Sequence, residues 1–419
     1  MWEHIARSVV TRKRLGAVCL AALAAAAIPL AAPGEALVPG AAEGASGWLL
    51  GPYGDGLGLG GGGYLAALIV AFAAYLGVTA TAPALGRRLA WGAIAVFVAA
   101  FAIAPPLLSL DVFSYISYAR LGAGEGLNPY DAVPADLVGD AAGSRVEDFR
   151  FAVSAYGPLF TLASYPLGLV SVPAALWALK AAAAASVLGV AALTARLAAA
   201  RGVNPQGAAA LVALNPLVLV HVVGGAHNDG FMVLALMAAA VGLVAGLDAA
   251  AGSALVAGAA LKVSGGFAAP FALLGSGRPL RLAAGAALAG AAVVGVSLAV
   301  FGDDVASALG IIGGNQNESS HYSVPSTLAR IAGVDADPVR YAFLGAYAVL
   351  VAWLLAWTWR GGDWLRATAW AAAGLLVATA WLVPWYLIWA LPFAAVARDR
   401  AVVAVVLAIS VLQLPTAIP

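Results

Sequence analysis

The residues best suited to chemistry lie where long apolar runs are interrupted. Asp111 directly follows the apolar run that ends in LLSL, and the cluster GGAHND separates LVALNPLVLVH from FMVLALMAAAVGLVAG. A carboxylate can take a proton from a hydroxyl group, and imidazole, amide and ammonium groups can bind an anion. The bland alternative is that Asp111 or Asp229 caps a helix, which is a common use of aspartate at a helix start.

The elements that must position these residues are apolar helices. The 419-residue chain is 63% hydrophobic and 10% charged, with a mean hydropathy of +0.95. Runs of about 20 apolar residues suit a bilayer core, and their length favours helices over barrel strands. We therefore predict an all-α integral membrane protein with about 11 transmembrane helices. The predicted spans are 15–32, 64–85, 89–110, 174–197, 207–225, 230–247, 282–301, 341–359, 367–383, 385–397 and 401–418.

Charge placement predicts the orientation. With these spans, the Arg/Lys clusters all fall on one side, which the positive-inside rule makes cytoplasmic, with the N-terminus inside. The first apolar segment also fits a cleaved signal peptide, but we favour a retained span. Segment 253–274 is interrupted by Lys262 and two glycines, which predicts two re-entrant half-helices. The whole chain, 1–419, is expected to form one transmembrane domain, with large extracytoplasmic loops at 111–173 and 302–340.

The first of these loops is expected to lie on the membrane. Its opening residues give an amphipathic helix from Asp111, stopped by closely spaced glycines, with Phe113, Tyr115 and Tyr118 at headgroup level. The later piece AYGPLFTLASYPLGLVSVP is too short to span and predicts a second interfacial or re-entrant helix.

Several motifs together resemble one enzyme family. DVFSYISYARL with GLNPY, YGPL, NPLVLVHVVGGAHND, LKV and PWYLIW are similar to the actinobacterial polyprenyl-phosphate-mannose-dependent mannosyltransferases, members of the GT-C superfamily that build the α-1,6-mannan core of lipoglycans. The resemblance implies a GT-C fold and inverting transfer of mannose from a polyprenyl-phosphate donor to a lipid-anchored mannan or glycan acceptor. It implies a location in the bacterial plasma membrane, with the active site on the extracytoplasmic face. Related enzymes transfer other sugars, such as arabinose or glucose.

The resemblance also implies roles for individual residues. Asp111 would be the catalytic base. The residues expected to bind the donor and its phosphate are His227, Asn228, Lys262, His321 and Arg120. The residues expected to contact acceptor or sugar are Asn128, Tyr130, Tyr156, Trp385 and Tyr386.

Each of these roles has a plainer alternative. Lys262 and Lys180 could reach the headgroups along their apolar stems, His321 could face solvent in a loop, and the Trp and Tyr residues could form an interfacial belt. Asp229 is more simply explained as a helix cap. No metal, cofactor or nucleic-acid partner is expected.

A second class of function fits the same composition. A transporter or flippase of lipid-linked saccharides would use similar helices without chemistry. Such a protein is expected to carry ionisable residues near the membrane midplane and to show repeated halves. Only Lys180 and Lys262 are clearly intramembrane, and no internal repeat is visible. The sequence therefore favours the enzyme.

Overall fold

The computed structural model describes residues 2–34, 37–38, 47–54, 56–306 and 319–417, and every regular element in these ranges is a helix. We number the α-helices in chain order. They are α1 Trp2–Ala31, α2 Gly47–Leu50, α3 Gly61–Leu85, α4 Arg87–Ala102, α5 Asp111–Ala119, α6 Pro158–Gly168, α7 Val172–Ala200, α8 Pro205–Ala213, α9 Asp229–Val244, α10 Asp248–Leu261, α11 Ala269–Gly275, α12 Pro279–Phe301, α13 Val324–Ala332, α14 Ala336–Trp359, α15 Trp364–Ala378, α16 Leu391–Val396 and α17 Arg400–Leu412.

Five helical stretches of the described chain are long and apolar enough to cross a membrane. They are Val10–Ala31, Gly61–Leu85, Val172–Ala200, Pro279–Ala306 and Ala336–Trp359. A sixth is gained if α8 and the π-helical segment Val218–Gly224, bent by 66°, form one broken span. The all-helical prediction is confirmed, whereas the count of about 11 is not. Most of the remaining predicted spans correspond to apolar helices of 10–17 residues.

Two predicted spans are interrupted by proline. The span predicted at 89–110 ends as helix α4 at Ala102, shortly before Pro105 and Pro106, because proline lacks an N–H and restrains the residue before it. The span predicted at 207–225 breaks at Asn215, which precedes Pro216. The buried Asn215 side-chain oxygen accepts hydrogen bonds from Leu217 N and Val218 N at 3.0 and 3.4 Å, so it caps the segment that follows.

The predicted short helix at Asp111 is present, and its aromatic side chains are packed inside the protein. In α5, Phe113, Tyr115 and Tyr118 are all buried. The helix packs against α6 and α7, so its aromatic side chains contact protein. The depth of α5 relative to the membrane surface stays a prediction. The second short helix predicted after Tyr156 is α6.

The break predicted at Lys262 is also present. Helix α10 ends at Leu261, Lys262 adopts an extended conformation, and the 3-10 helix Val263–Ala268 leads into α11. Of the second large loop, predicted at 302–340, residues 307–318 lie outside the described ranges.

Helix α7 holds these breaks together. It is the longest span, and it packs against α4, α8, α9 and the π-helical segment Val218–Gly224. The break before α5 and the break before α9 therefore lie beside the same helix. At short helices and breaks within a packed bundle, polar side chains can lie inside the protein and avoid the apolar outer surface of the helices.

Candidate active site

The two breaks bring Asp111 and His227 together. Asp111 begins α5, and His227 lies in the turn between the π-helical segment and α9. His227 Nδ1 is 3.3 Å from Asp111 Oδ2. The imidazole is fully buried, whereas 27% of the Asp111 side chain is exposed. The two groups are in close contact, but their alignment falls short of a hydrogen bond.

The Asp111 carboxylate is not used to cap its helix. No side chain caps the N-terminus of α5, and Asp111 meets Ser109 through its own N–H, which donates to Ser109 Oγ at 3.2 Å. Desolvation raises the pKa of the Asp111 carboxyl, but the contact with His227 and the nearby Lys262 ammonium outweigh it, so the pKa lies below its usual value. The carboxylate is therefore charged at neutral pH and reachable from outside.

Trp385 forms one wall of this site. It belongs to the 3-10 helix Pro384–Trp389, and its ring stacks on His227 with centroids 3.7 Å apart and planes 15° apart. His221 lies on the same ring at 5.9 Å. Stacking fixes the plane of the His227 imidazole against Trp385 while its edge meets Asp111.

Buried polar atoms line the same turn. Asn228 is buried, and neither its side-chain oxygen nor its nitrogen has a hydrogen-bond partner within the described residues. The same holds for the ring nitrogens of His221 and His227. A buried polar group without a partner costs about 1–3 kcal/mol, so this concentration is more typical of a binding site than of a core. The Asn228 backbone N–H is satisfied separately, by the Tyr115 hydroxyl at 3.4 Å.

Asp229 binds a second group of side chains. Lys262 Nζ lies 2.8 and 2.9 Å from its two oxygens, and Trp389 Nε1–H donates to Oδ1 at 2.6 Å. Asp229 is fully buried, and 19% of the Lys262 side chain is exposed. Because Asp229 is the first residue of α9 and no side chain caps that helix, the expected capping role was wrong. The two partners lie 33 and 160 residues away, which local sequence cannot reveal.

Tyr386 completes the contacts of Lys262. Its ring stacks on Trp389 with centroids 4.0 Å apart, and Lys262 Nζ lies 4.8 and 5.5 Å from the two ring centres. A cation over aromatic faces is stabilised by their electron density. The late PWYLIW motif therefore supplies Trp385 to His227 and Trp389 to Asp229.

Tyr156 contacts the site through Tyr115. The two rings meet edge to face at 4.7 Å, and Tyr115 in turn meets Asn228. Tyr130 bonds to Tyr156 in turn, since its hydroxyl donates to the Tyr156 backbone oxygen at 2.8 Å and lies 3.0 Å from Thr161 Oγ1.

Three other predicted residues make contacts elsewhere. Arg120 pairs with Asp140 at 2.6 Å. The Asn128 amide nitrogen donates to the Phe301 carbonyl at 2.7 Å and also bonds to Asp304. Arg330 Nη1 donates to the His321 backbone oxygen at 2.9 Å and lies 3.3 Å from its ring nitrogen.

The structure thus joins the predicted residues Asp111, His227, Asn228, Lys262, Trp385, Tyr386 and Tyr156, and it adds Asp229, Trp389 and Tyr115. Within the described residues, no group of three His, Cys, Asp or Glu side chains is arranged to hold a metal ion.

Apolar helices of spanning length are typical of a helical membrane protein, and the breaks between them hold a carboxylate–imidazole pair. The chain belongs to the alpha-(1->6)-mannopyranosyltransferase family, because the family's N-terminal domain matches residues 13–277. The resemblance inferred from the motifs is confirmed. The match includes Asp111, His227, Asn228 and Lys262 but ends before the PWYLIW motif.

Curated relatives support the same family. The chain is 32% identical over 177 residues to alpha-(1->6)-mannopyranosyltransferase A of Mycobacterium tuberculosis, covering 40% of this chain and 34% of the relative. It is 30% identical over 157 residues to alpha-(1->6)-mannopyranosyltransferase B of Corynebacterium glutamicum, covering 36% and 25%. The matched part thus spans about a quarter to a third of these relatives' length. No solved structure matches the chain.

Proposed function

We propose that this chain transfers mannose from a polyprenyl-phosphate carrier to a mannan or lipoglycan acceptor at the extracytoplasmic face. Family membership and the relatives' names support mannosyl transfer. The observation that carries the proposal is the Asp111–His227 pair, in which a charged and partly exposed carboxylate lies 3.3 Å from a buried imidazole. A carboxylate of this kind is the group that inverting transfer to a hydroxyl requires.

The proposed reaction is a single displacement. Asp111 accepts the proton of the acceptor hydroxyl as its oxygen bonds to the anomeric carbon of mannose. The bond from that carbon to the phosphate oxygen breaks, and its electron pair leaves with polyprenyl phosphate. Asp111 is left protonated and returns its proton to solvent. The leaving phosphate is already stable as an anion, so the protein needs to stabilise charge more than to supply a proton.

Different parts of the site would bind different parts of the donor. The buried amide of Asn228 and Nε2 of His227 can bond to sugar hydroxyls, while Trp385 offers a flat apolar surface. The Lys262 ammonium donates two hydrogen bonds to Asp229, and its third N–H can reach the phosphate. Tyr156 and Tyr386 would lie beside the bound sugar. Four other predicted residues bind protein groups and would act on substrate only indirectly: His321, Arg120, Asn128 and Tyr130.

The membrane arrangement in this proposal follows the charge distribution. The chain would be one GT-C type domain in the bacterial plasma membrane, with its N-terminus inside and about 11 crossings, including the shorter apolar helices. Asp111 and the GGAHND turn would then lie at the depth of the phosphate of an outer-leaflet carrier lipid.

The test is a transfer assay with purified chain in lipid nanodiscs. Labelled mannosyl-phosphoryl-polyprenol and an α-1,6-linked mannooligosaccharide are supplied, with arabinosyl and glucosyl polyprenyl phosphates as matched competitors. We expect a longer α-1,6-linked product from the mannosyl donor. Equal transfer from the other donors would overturn the assignment of mannose. Absence of transfer, together with movement of the labelled lipid across liposome membranes, would favour the flippase.

A further inference from the structure

A fully buried lysine lies beside the two breaks that hold the candidate site and has no role in the proposed reaction. Lys180, in α7, is completely buried, and no described ion pair involves it. Its Nζ lies 3.2, 3.4, 3.5 and 2.5 Å from the backbone carbonyl oxygens of Phe101, Pro105, Val223 and Gly224, respectively. Burying a lysine inside an apolar bundle costs free energy, and the hydrogen bonds to these four carbonyl oxygens offset that cost.

The four acceptors belong to two segments of chain. Phe101 is in the last turn of α4, and Pro105 lies in the connection from α4 to Asp111. Val223 and Gly224 end the π-helical segment that leads to His227. Carbonyl groups at helix C-termini lack partners within the helix and carry the negative end of its dipole. One ammonium therefore satisfies the ends of two helices at once.

The same two segments carry unusual backbone. Leu108 and Ala226 have φ angles of 58° and 57°, in the left-handed region that residues with a Cβ rarely adopt. Leu108 lies three residues before Asp111, and Ala226 directly precedes His227. Arg398, on a different segment, is the remaining non-glycine residue with positive φ among those described. Unfavourable backbone persists where surrounding contacts determine it, and such positions cluster at functional sites.

We propose that Lys180 is a positioning residue that fixes the separation of Asp111 and His227 by binding the chain ahead of each. This inference rests on the proposed function for its catalytic readout. The backbone bond from Leu107 N to Gly224 O, at 3.3 Å, joins the same two segments directly. An ammonium has three donors for the carbonyl groups, and a methionine of similar length has none.

The variants that test this role are Lys180→Met and Lys180→Arg, with Thr194→Val as the matched control. Thr194 is also fully buried in α7, but its hydroxyl donates to Val190 O in the same helix, so its loss weakens α7 without touching the two segments. We expect Lys180→Met to lower kcat about 100-fold, the effect of a displacement near 1 Å. The KM for donor should change less than about threefold.

The pH profile separates positioning from general destabilisation. Because the contact with His227 lowers the pKa of Asp111, a loosened pair should move the acid limb of the profile to higher pH in Lys180→Met. Lys180→Arg should restore part of kcat and the wild-type limb, and Thr194→Val should keep that limb. An acid limb that stays in place in Lys180→Met, with activity falling only in step with folded protein, would overturn the proposal. If Lys180→Met does not fold, Lys180→Gln, which keeps two N–H donors, is subject to the same criterion.

A readout without catalysis keeps this inference distinct from the proposed function. In Asp111→Cys/His227→Cys protein, with Cys19→Ser, a short bis-thiosulfonate should join the two cysteines readily when Lys180 is present. Adding Lys180→Met should slow that joining about tenfold or more, as expected when a fixed geometry becomes mobile. Equal rates would contradict positioning, whatever the sugar-transfer assay shows.

Discussion

Asp111 and Asp229 occupy the same local position, since each is the first residue of a helix that follows an irregular break. Their surroundings differ. Asp229 is fully buried and bound by Lys262 and Trp389, whereas Asp111 is 27% exposed and has His227 as its close neighbour. The place of an aspartate in its helix therefore does not decide its role. Its role is decided by the hydrogen-bond donors that the fold places beside its carboxylate.

The difference separates a carboxylate that is bound by protein groups from the one proposed as the catalytic base. Both oxygens of Asp229 accept hydrogen bonds from Lys262, and one also accepts from Trp389. A carboxylate held in this way is poorly placed to take a proton from a substrate. Asp111 keeps an accessible face and a pKa below its usual value, so it can accept a proton that arrives from outside.

The largest expected effect comes from Asp111→Asn. The amide has the same shape but cannot accept the proton, so mannosyl transfer should fall about 10³-fold. The thermal unfolding midpoint should stay close to wild type, because this carboxylate does not cap α5. The comparison fails if the variant retains full transfer, or if it loses activity only because it unfolds.

At Asp229 the expected effect is a loss of stability. Asp229→Asn leaves the Lys262 ammonium without its carboxylate in a largely buried place, which should cost about 2–3 kcal/mol of unfolding free energy after allowance for its partial exposure. The measurement is thermal or denaturant unfolding in detergent. Asp229→Asn/Lys262→Met should recover most of the loss, because it removes both charges together. Additive losses in the double variant would show that Asp229 and Lys262 do not act as one structural unit.

Sequence patterns located the long apolar helices well because composition and length determine them. The predicted span 174–197 is α7, Val172–Ala200, and 282–301 is α12, Pro279–Phe301. Patterns failed where tertiary contacts decide the outcome. Asn215-Pro216 is a visible break signal within an apolar run, yet the 66° bend depends on how the two pieces pack.

The site was predictable to a similar extent. Asp111, His227 and Lys262 are polar residues at the ends of apolar runs, which the sequence displays directly. The hydrogen bond from Trp389 to Asp229 joins residues 160 positions apart. The carbonyl groups around Lys180 belong to residues 43 to 79 positions away from it. A buried lysine does indicate that some partner exists. Only the fold identifies that partner as a carboxylate for Lys262 and as helix ends for Lys180.

A smaller effect tests the Asp111 side of the comparison through its neighbour. Replacing His227 with alanine removes the contact that helps to keep the pKa of Asp111 low, while desolvation still raises it. The pKa of Asp111 should therefore rise, and the acid limb of the kcat/KM profile should move to higher pH. Above that limb, loss of the ring should lower transfer about 10-fold to 30-fold. A profile with an unchanged acid limb would show that His227 does not influence the base.

The smallest effect sharpens the Asp229 side. Trp389→Phe removes the Nε1–H that donates to Asp229 at 2.6 Å and keeps an aromatic ring against Tyr386. Because Lys262 still holds both oxygens of Asp229, the loss should be about 1 kcal/mol of unfolding free energy. Transfer by folded protein should stay within about twofold of wild type, since no reacting atom has moved.

Trp385→Phe is the matched change on the other ring and should act through His227, lowering kcat while leaving stability nearly unchanged. If Trp389→Phe instead moved the pH profile and Trp385→Phe did not, Asp229 would be the carboxylate coupled to proton transfer, and the roles assigned to the two aspartates would have to be exchanged.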